Sequence, residues 1–596
     1  MTEVAEFERR YLERASGALG GAALDAISLA RDPEPRGRLA AGWWSRADLA
    51  GVMVLPNPWD DRSGIERFER ACWDVTNDVL ASLAPRLDEV HDERLGFEGW
   101  QLVLAPWLLH LVSGLADRRL FLLAARHCAP GVPVLAGPAS GPPADMAEAV
   151  EAIRTTTGNA RLLTAAAEAM GLPAKPGPDA RPTAAGAVAG AGPGIATRAA
   201  LLARGAAGRL LLGGERGRRV VVVGHADVSL RQALALRRAV RGLRISQAPG
   251  IPAQQPPLDP GLRASLFGGE PRDAAAVTAP GTEGLAELTN ALLPQLLPRS
   301  VLEGFSDLDR AALEDYGAPS GVVVGNYAAK EAENLYLARC AAAGQRLWFA
   351  QHGGFYFQGR ANAQERLELR PGSTFISWGS KGPGVAAAGS PRLARLAGTH
   401  RGGDLLMLVE ALHPPDTYVI RFASTPLGNQ QHEQSQLLAA FVENLSAARA
   451  AARLKRFPAF YGAAEAPRPS ALEGLASDGP SGARSAAAWM RSSRMAVLAY
   501  PDTPFVEAMA IGVPTVGLWN PERWELRPEA ADVFGALAAA GVVHHDPASA
   551  AAHVESVWTA PAAWWDSAEV AAARALFLDR FGRGSGWLEG WAAALG

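Results

Sequence analysis

Apolar positions in the first 130 residues recur at helical spacing. Ile65, Phe68, Cys72, Val75 and Val79 fall three or four apart, and Leu102, Leu104, Leu108 and Leu109 form a second such set. The spacing predicts a helical region over residues 1–130. Trp43, Trp44, Trp59, Trp73, Trp100 and Trp107 lie within it. Large rings among helical apolar positions are expected to fill a core rather than to stack on a ligand.

Beyond residue 130 the pattern changes to short β-branched runs, such as Val220–Val223, Val322–Val324 and Tyr418–Ile420, each followed by loop residues and a helical stretch. Alternating strand and helix predicts βαβ units with parallel sheets, an α/β fold. Breaks rich in Pro and Gly fall near 172–195, 380–403 and 465–484. The middle break divides the α/β part into regions 131–395 and 404–575, with a C-terminal helix over 576–596. The last break reads as a loop inside the second region.

Composition narrows the function. The 596 residues carry a formal net charge of −3, which argues against a non-specific nucleic-acid binder. Only four of the 58 basic residues are lysine. With abundant Ala, Gly and Pro, that skew looks like GC-rich codon bias rather than disorder. Cys72, Cys128 and Cys340 are too few and too widely spaced for a disulfide framework or a zinc site. The charged start MTEVAEFERRYLERA lacks the apolar core of a signal peptide, and no run of about 18 uncharged apolar residues is present. A soluble cytoplasmic protein is therefore expected.

Candidate chemistry gathers in three places. In GQRLWFAQHGGFYFQG, Arg346 to Ala350 reads as a buried strand, and Gln351-His352-Gly353-Gly354 follows at its C-terminal end, where α/β sheets bind ligands. The glycines permit a tight turn and close backbone approach. His352 could donate to a phosphate or carboxylate, act as general acid or base, or merely cap the turn. Upstream, Glu331 and Glu333 open a helix, where acidic residues complement the dipole; Glu333 and Asp315, from LEDYG, remain candidate catalytic carboxylates.

In YPDTPFVEAMAIGVPTVGLW, Met495 to Tyr500 reads as a strand, Asp502 and Thr503 as caps, Pro504 as a first-turn proline, and Gly512 as the helix stop. Unpaired N–H groups at this helix start would seat a phosphate, and Glu507 would accept from ribose hydroxyls or complement the dipole. In TYVIRFASTPLG, Arg421 suits bidentate phosphate or carboxylate recognition, while Ser424 and Thr425 add hydroxyls or form a turn. His544-His545-Asp546 does not read as a metal site, because neighbouring strand residues point to opposite faces.

Together these segments resemble bacterial surface-carbohydrate transferases related to the Kdo (3-deoxy-octulosonate) transferases. The resemblance covers most of the chain. It rests on LPNPWDDR (Trp59, Asp60, Asp61, Arg62), APWLLHLVSGLADRR (Pro106, Trp107, Asp117, Arg118), TGNARLL near Asn159, QHGGFYFQG, FISWGS, TPFVEAMAIGVPTV, LWNPERWELR and WWDSAEVAAARALFLDRF. It implies a GT-B-like pair of Rossmann-like domains with an α-helical N-terminal extension. It also implies metal-independent transfer without a cofactor, from a CMP-activated sugar donor to a glycan or lipid-linked acceptor.

Thr503 and Glu507 would then lie beside CMP and Arg421 near its phosphate or the sugar carboxylate. His352, with Gln351, Gly353 and Gly354, would face them from the first domain. Family members often show Tyr-Gly after the double glycine; here Phe355-Tyr356-Phe357-Gln358-Gly359 intervenes. The nucleophilic carboxylate of retaining relatives has no assigned counterpart.

Two other readings keep their place: polyol-phosphate transfer from a CDP-alcohol, and a non-catalytic glycan- or partner-binding scaffold presenting the tryptophan-rich region. A lipid-linked acceptor would bring the enzyme to the inner membrane as a peripheral protein; Arg216, Arg218 and Arg219 could contribute or simply be solvated.

Overall fold

The computed structural model of the chain describes residues 3–19, 26–28, 38–40, 53–136, 141–154, 156–176, 220–224, 228–245, 256–268, 274–410, 419, 421–428, 430–455, 468–477 and 485–596. The helical periodicity of the N-terminal region resolves into Ser63–His91 and Gly96–Cys128, preceded by Glu3–Leu19. Gly96–Cys128 is buried along most of its length, the place for a helix apolar on every side. Among the described residues it is the one helix long and apolar enough to cross a bilayer, and 94% of its most apolar stretch is buried inside the protein. Trp59, Trp100 and Trp107 are core residues as expected; Trp43 and Trp44 lie outside the described residues.

Among the described residues, three sheets, each wholly parallel, follow the helix-strand alternation. The first has the order Met53–Val54, Arg38–Ala40, Ala26–Ser28, Val134–Ala136, Ala174–Pro176. Its first three strands correct the wholly helical reading of residues 1–130: segments of two or three residues are too short to display a period of two. The second has the order Val385–Ala387, Thr374–Ser377, Leu347–Ala350, Gly321–Gly325, Val220–Gly224, Leu243–Ile245. The third runs Ala452–Lys455, Leu406–Val409, Met495–Leu498, Thr515–Leu518, Val543–His544. The strand expected over Tyr418–Ile420 falls outside the described residues except for Val419.

In the second and third sheets the chain starts near one edge, adds one strand on one side, and then builds away on the other. This doubly wound order has its switch point beside the first strand, and ligands bind there at the carboxyl ends. The architecture is α/β and compatible with a Rossmann-like pair. The last helix, Trp587–Leu595, crosses back to the second sheet, where Trp591 Nε1 donates to Gly389 O at 3.0 Å and Trp348 Nε1 donates to Ala594 O at 2.9 Å.

Arg62 joins the N-terminal region to the C-terminal half. Its guanidinium donates to Glu525 Oε2 at 2.7 Å, Gln430 Oε1 at 2.9 Å and the carbonyls of Thr425 and Arg523 at 3.1 and 3.2 Å. Neighbouring Asn57 donates to Leu427 O at 3.1 Å, and Asp60 accepts from Gln430 at 3.0 Å. Arg523 pairs with Glu433 and Arg527 with Glu365. The LPNPWDDR and LWNPERWELR segments therefore act largely as a clamp between parts of the chain. Arg62→Ala is expected to cost about 3 kcal/mol of stability, since it strands a mostly buried Glu525 without its partner. Chemical denaturation of the full chain reads this out.

Candidate active site

The diglycine turn is held from beneath. Gln351 N donates to Ile376 O at 2.9 Å; its side chain donates to Gly353 O at 2.8 Å and accepts from Trp378 N at 2.8 Å. Gln351 thus shapes the turn that aims His352. Gly354 N donates to Asp502 Oδ1 at 3.0 Å and Thr503 Oγ1 at 2.9 Å, so the turn of the second sheet touches the helix start of the third. A Cβ on Gly354 would lie 2.5 Å from Thr503 N and 2.7 Å from the Asp502 carbonyl carbon, which only glycine avoids. Gly353 has room for a methyl group, its nearest neighbour being Tyr356 at 3.5 Å.

The helix start itself differs from expectation. Thr503–Ile511 has Asp502 as N-cap and Gly512 as a left-handed C-cap, as the sequence indicates. Its first-turn donors, however, are not unpaired. Thr503 N donates to Asp502 Oδ1 at 2.6 Å, residue 504 is proline, and Phe505 N and Val506 N donate to Asp502 O at 2.8 and 3.3 Å. An internal carboxylate already satisfies the dipole. Glu507 is buried and pairs with Arg392.

The open chemistry lies beside this junction. His352, 23% exposed at its side chain, sits 3.1 Å through Nδ1 from Tyr356 Oη. Tyr356 Oη donates to Glu368 Oε2 at 2.6 Å. Glu368, on the short helix Ala363–Glu368, is 1% exposed; its Oε1 accepts from Gln364 Nε2 at 2.8 Å and Tyr327 N at 3.2 Å. Gln364 in turn accepts from Arg421 Nη1 at 2.6 Å. One chain of bonds links Arg421, Gln364, Glu368, Tyr356 and His352.

Charge in this network is unusual. Burial, with Arg421 and Lys330 nearby, lowers the His352 pKa to about 3, so its imidazole is neutral. Burial raises Glu368 to about 7 despite bonds from Tyr356 and Gln364, and raises the Tyr356 phenol well above its usual range. His110, also close to Arg421, is lowered to about 3 by burial and then by that arginine. Arg421 is exposed, and the two histidines nearest its charge are neutral, which leaves that charge available to an anion.

Other candidates take varied places. Glu333, near the carboxyl end of Gly321–Gly325, forms an ion pair with Lys330 at 3.2 Å. Asp315 ends the helix Phe305–Tyr316 that leads into that strand, which puts it at the opposite sheet edge from His352. The structure does not bring Asp315 into the site. Ser424 is buried; its Oγ accepts from Ala361 N at 2.9 Å and its N donates to Ala361 O at 2.8 Å. Thr425 N donates to Ala423 O at 2.8 Å. Of the two readings for Ser424 and Thr425, these bonds match the turn. His545 Nδ1 lies 3.0 Å from Trp519 O, and Asp546 caps the helix Pro547–Val557. Arg216, Arg218 and Arg219 lie outside the described residues.

Arg421 is aimed from below by the N-terminal region. Asp117 and Arg118 are each 0% exposed. Asp117 accepts from Trp59 Nε1 at 2.7 Å and from Val419 N at 3.4 Å, while Arg118 donates to Val419 O at 2.5 Å and to Asn159 at 3.1 Å. Phe422 packs edge-on against Trp59 at 4.8 Å. Both neighbours of the arginine's short segment are thereby fixed.

Sequence reasoning missed Glu368, Tyr356 and Gln364. Tyr356 follows His352 by four residues inside the QHGGFYFQG run, a visible hint. Glu368 carries no such signal: AQERLE reads as a solvated amphipathic helix, and only the fold buries its glutamates. A partly open cavity of about 210 Å³ lies elsewhere, lined by Trp107, Leu111, Ile153 and Leu162.

A family model described as LIC12162 family transferase matches residues 39–595. No curated protein and no solved structure matches the chain.

Proposed function

Because the chain belongs to the LIC12162 family of transferases, we propose that it is a glycosyltransferase. It moves a Kdo-like or nonulosonic acid from a CMP-activated donor to a hydroxyl of a bacterial surface-glycan precursor. The observation that carries this reading is the Gly354–Asp502 contact, which joins the turns at the carboxyl ends of two parallel sheets, with neutral His352 beside it and exposed Arg421 linked to His352 through Gln364, Glu368 and Tyr356.

A donor of this class carries a phosphodiester and a sugar carboxylate, and Arg421 offers a planar, permanently charged fork to either. Lys330, tied to Glu333, adds a second cation close to His352. Charge developing on the departing CMP is met by these groups, so the reaction needs no metal in this reading. His352, uncharged, serves the acceptor hydroxyl as general base.

The test is calorimetry of the full chain with CMP, a CMP-sugar and a CDP-alcohol. Binding of CMP and CMP-sugar is expected. Arg421→Ala should weaken both about 10- to 100-fold, the worth of one charge-assisted pair. Selective binding of the CDP-alcohol overturns the donor in favour of polyol-phosphate transfer, and no nucleotide binding overturns catalysis by this site in favour of a scaffold.

A further inference from the structure

The bonds around His352 fix which of its nitrogens carries the proton. Tyr356 has one hydroxyl hydrogen, and it points to Glu368 Oε2 at 2.6 Å when that carboxylate is ionised. Tyr356 can then only accept from His352, so Nδ1 bears the hydrogen at 3.1 Å and Nε2 presents a lone pair. Among the described residues nothing bonds Nε2. Direct contact between His352 Nδ1 and Glu368 Oε1, at 3.6 Å, is too long for a hydrogen bond. Glu368 Oε1 is already filled by Gln364 and Tyr327, so a proton reaching this carboxyl settles on Oε2, the oxygen facing Tyr356.

We infer that His352, Tyr356 and Glu368 form a proton relay that deprotonates the acceptor hydroxyl. Resting on the transfer reaction proposed above, the step balances as follows. The acceptor O–H bond breaks and Nε2–H forms; Nδ1–H breaks and its proton joins Tyr356 Oη; the Tyr356 proton passes to Glu368 Oε2. The acceptor oxygen takes the donor carbon as the bond from that carbon to the CMP phosphate breaks, and its electron pair leaves with CMP. Imidazole and phenol end neutral; Glu368 loses its negative charge, and the departing CMP gains one.

The surroundings favour this route over an imidazolium. Arg421 and Lys330 face His352 and oppose a positive ring. Facing Glu368 and Tyr356 are Gln364, Tyr327, Arg421 and Glu365, with Arg370 near Tyr327. Glu368 titrates at about 7, so it is a proton acceptor matched to neutral conditions. Protonated Glu368 reverses the chain: its O–H points to Tyr356, Tyr356 points to Nδ1, and Nε2 carries the hydrogen. Histidine is the catalytic residue here, and Tyr356 and Glu368 are positioning residues that act through it.

The experiment labels histidine nitrogens with ¹⁵N in the full chain and follows His352, assigned by loss of its signals in His352→Gln. The expected result is a neutral ring throughout, with hydrogen on Nε2 below about pH 7 and on Nδ1 above it. Glu368→Gln should abolish this exchange while the thermal transition shows the protein folded. Imidazolium formation near neutral pH, or one tautomer across the titration in the unaltered protein, overturns the relay whatever the donor proves to be.

Turnover of CMP-sugar gives the second readout. Its kcat should rise with pH to a plateau above about 7, and Glu368→Gln or Tyr356→Phe should each lower it about 100-fold, with the double variant no worse. Additive losses with an unchanged pH profile overturn the relay while leaving the transferase reading intact.

Discussion

His352→Ala is expected to lower the proposed transfer about 10²- to 10⁴-fold, the range for loss of a positioned general base. Among the described residues the ring's one hydrogen bond to a side chain is to Tyr356, and nearly a quarter of its side chain is exposed. Truncation therefore removes little packing. The diglycine turn stays in place because Gln351, not His352, ties it to the neighbouring strand through Ile376 and Trp378. A thermal transition close to that of the unaltered protein is expected alongside the kinetic loss. Single-turnover rates with saturating CMP-sugar isolate the chemical step, and the donor's affinity should stay within a few-fold because Arg421 remains. Unchanged turnover in a folded variant removes His352 from the chemistry.

Gly354→Ala is expected to produce the second large effect, by a different route. The added methyl would sit 2.5 Å from Thr503 N, where ordinary contacts begin near 3.4 Å. Both obstructing atoms are backbone, one of them at the start of a buried helix, so neither can rotate aside. The two sheets must separate by roughly 1 Å, and a displacement of that size at a reacting centre costs about 100-fold in rate. The bonds from Gly354 N to Asp502 and Thr503 lengthen with it. Affinity for CMP and kcat of transfer should fall together, unlike the His352→Ala case, where kcat falls alone. Gly353→Ala is the control: its methyl meets nothing closer than 3.5 Å, and it should retain most activity. Equal activity of the two variants would show that the sheets need not touch here.

Much of this arrangement was legible from residue patterns. Helical spacing marked Ser63–His91 and Gly96–Cys128, and the run from Asp502 to Gly512 carried its own start and stop. QHGG at the end of an apolar run identified a turn at the carboxyl edge of a parallel strand. These features depend on contacts within a few residues, and short-range patterns encode such contacts directly. By contrast, Glu507 met Arg392 rather than open space, because its partner comes from a helix more than a hundred residues away. Asp315 and Glu333 looked alike as acidic residues near one strand, yet chain direction sends them to opposite sheet edges.

The sequence by itself determined the α/β class, the parallel strands, the diglycine turn with its histidine and the capped helix of the third sheet. Only the tertiary structure decided that Gly354 abuts Asp502, that Asp117 and Arg118 hold the segment carrying Arg421, and that Glu368 is buried behind Tyr356. The physical reason is that burial and long-range pairing belong to the assembled chain. A carboxylate on a short polar helix is solvated in isolation, and it becomes a proton acceptor near neutral pH once the folded protein strips its water and leaves it a tyrosine, a glutamine and one backbone amide.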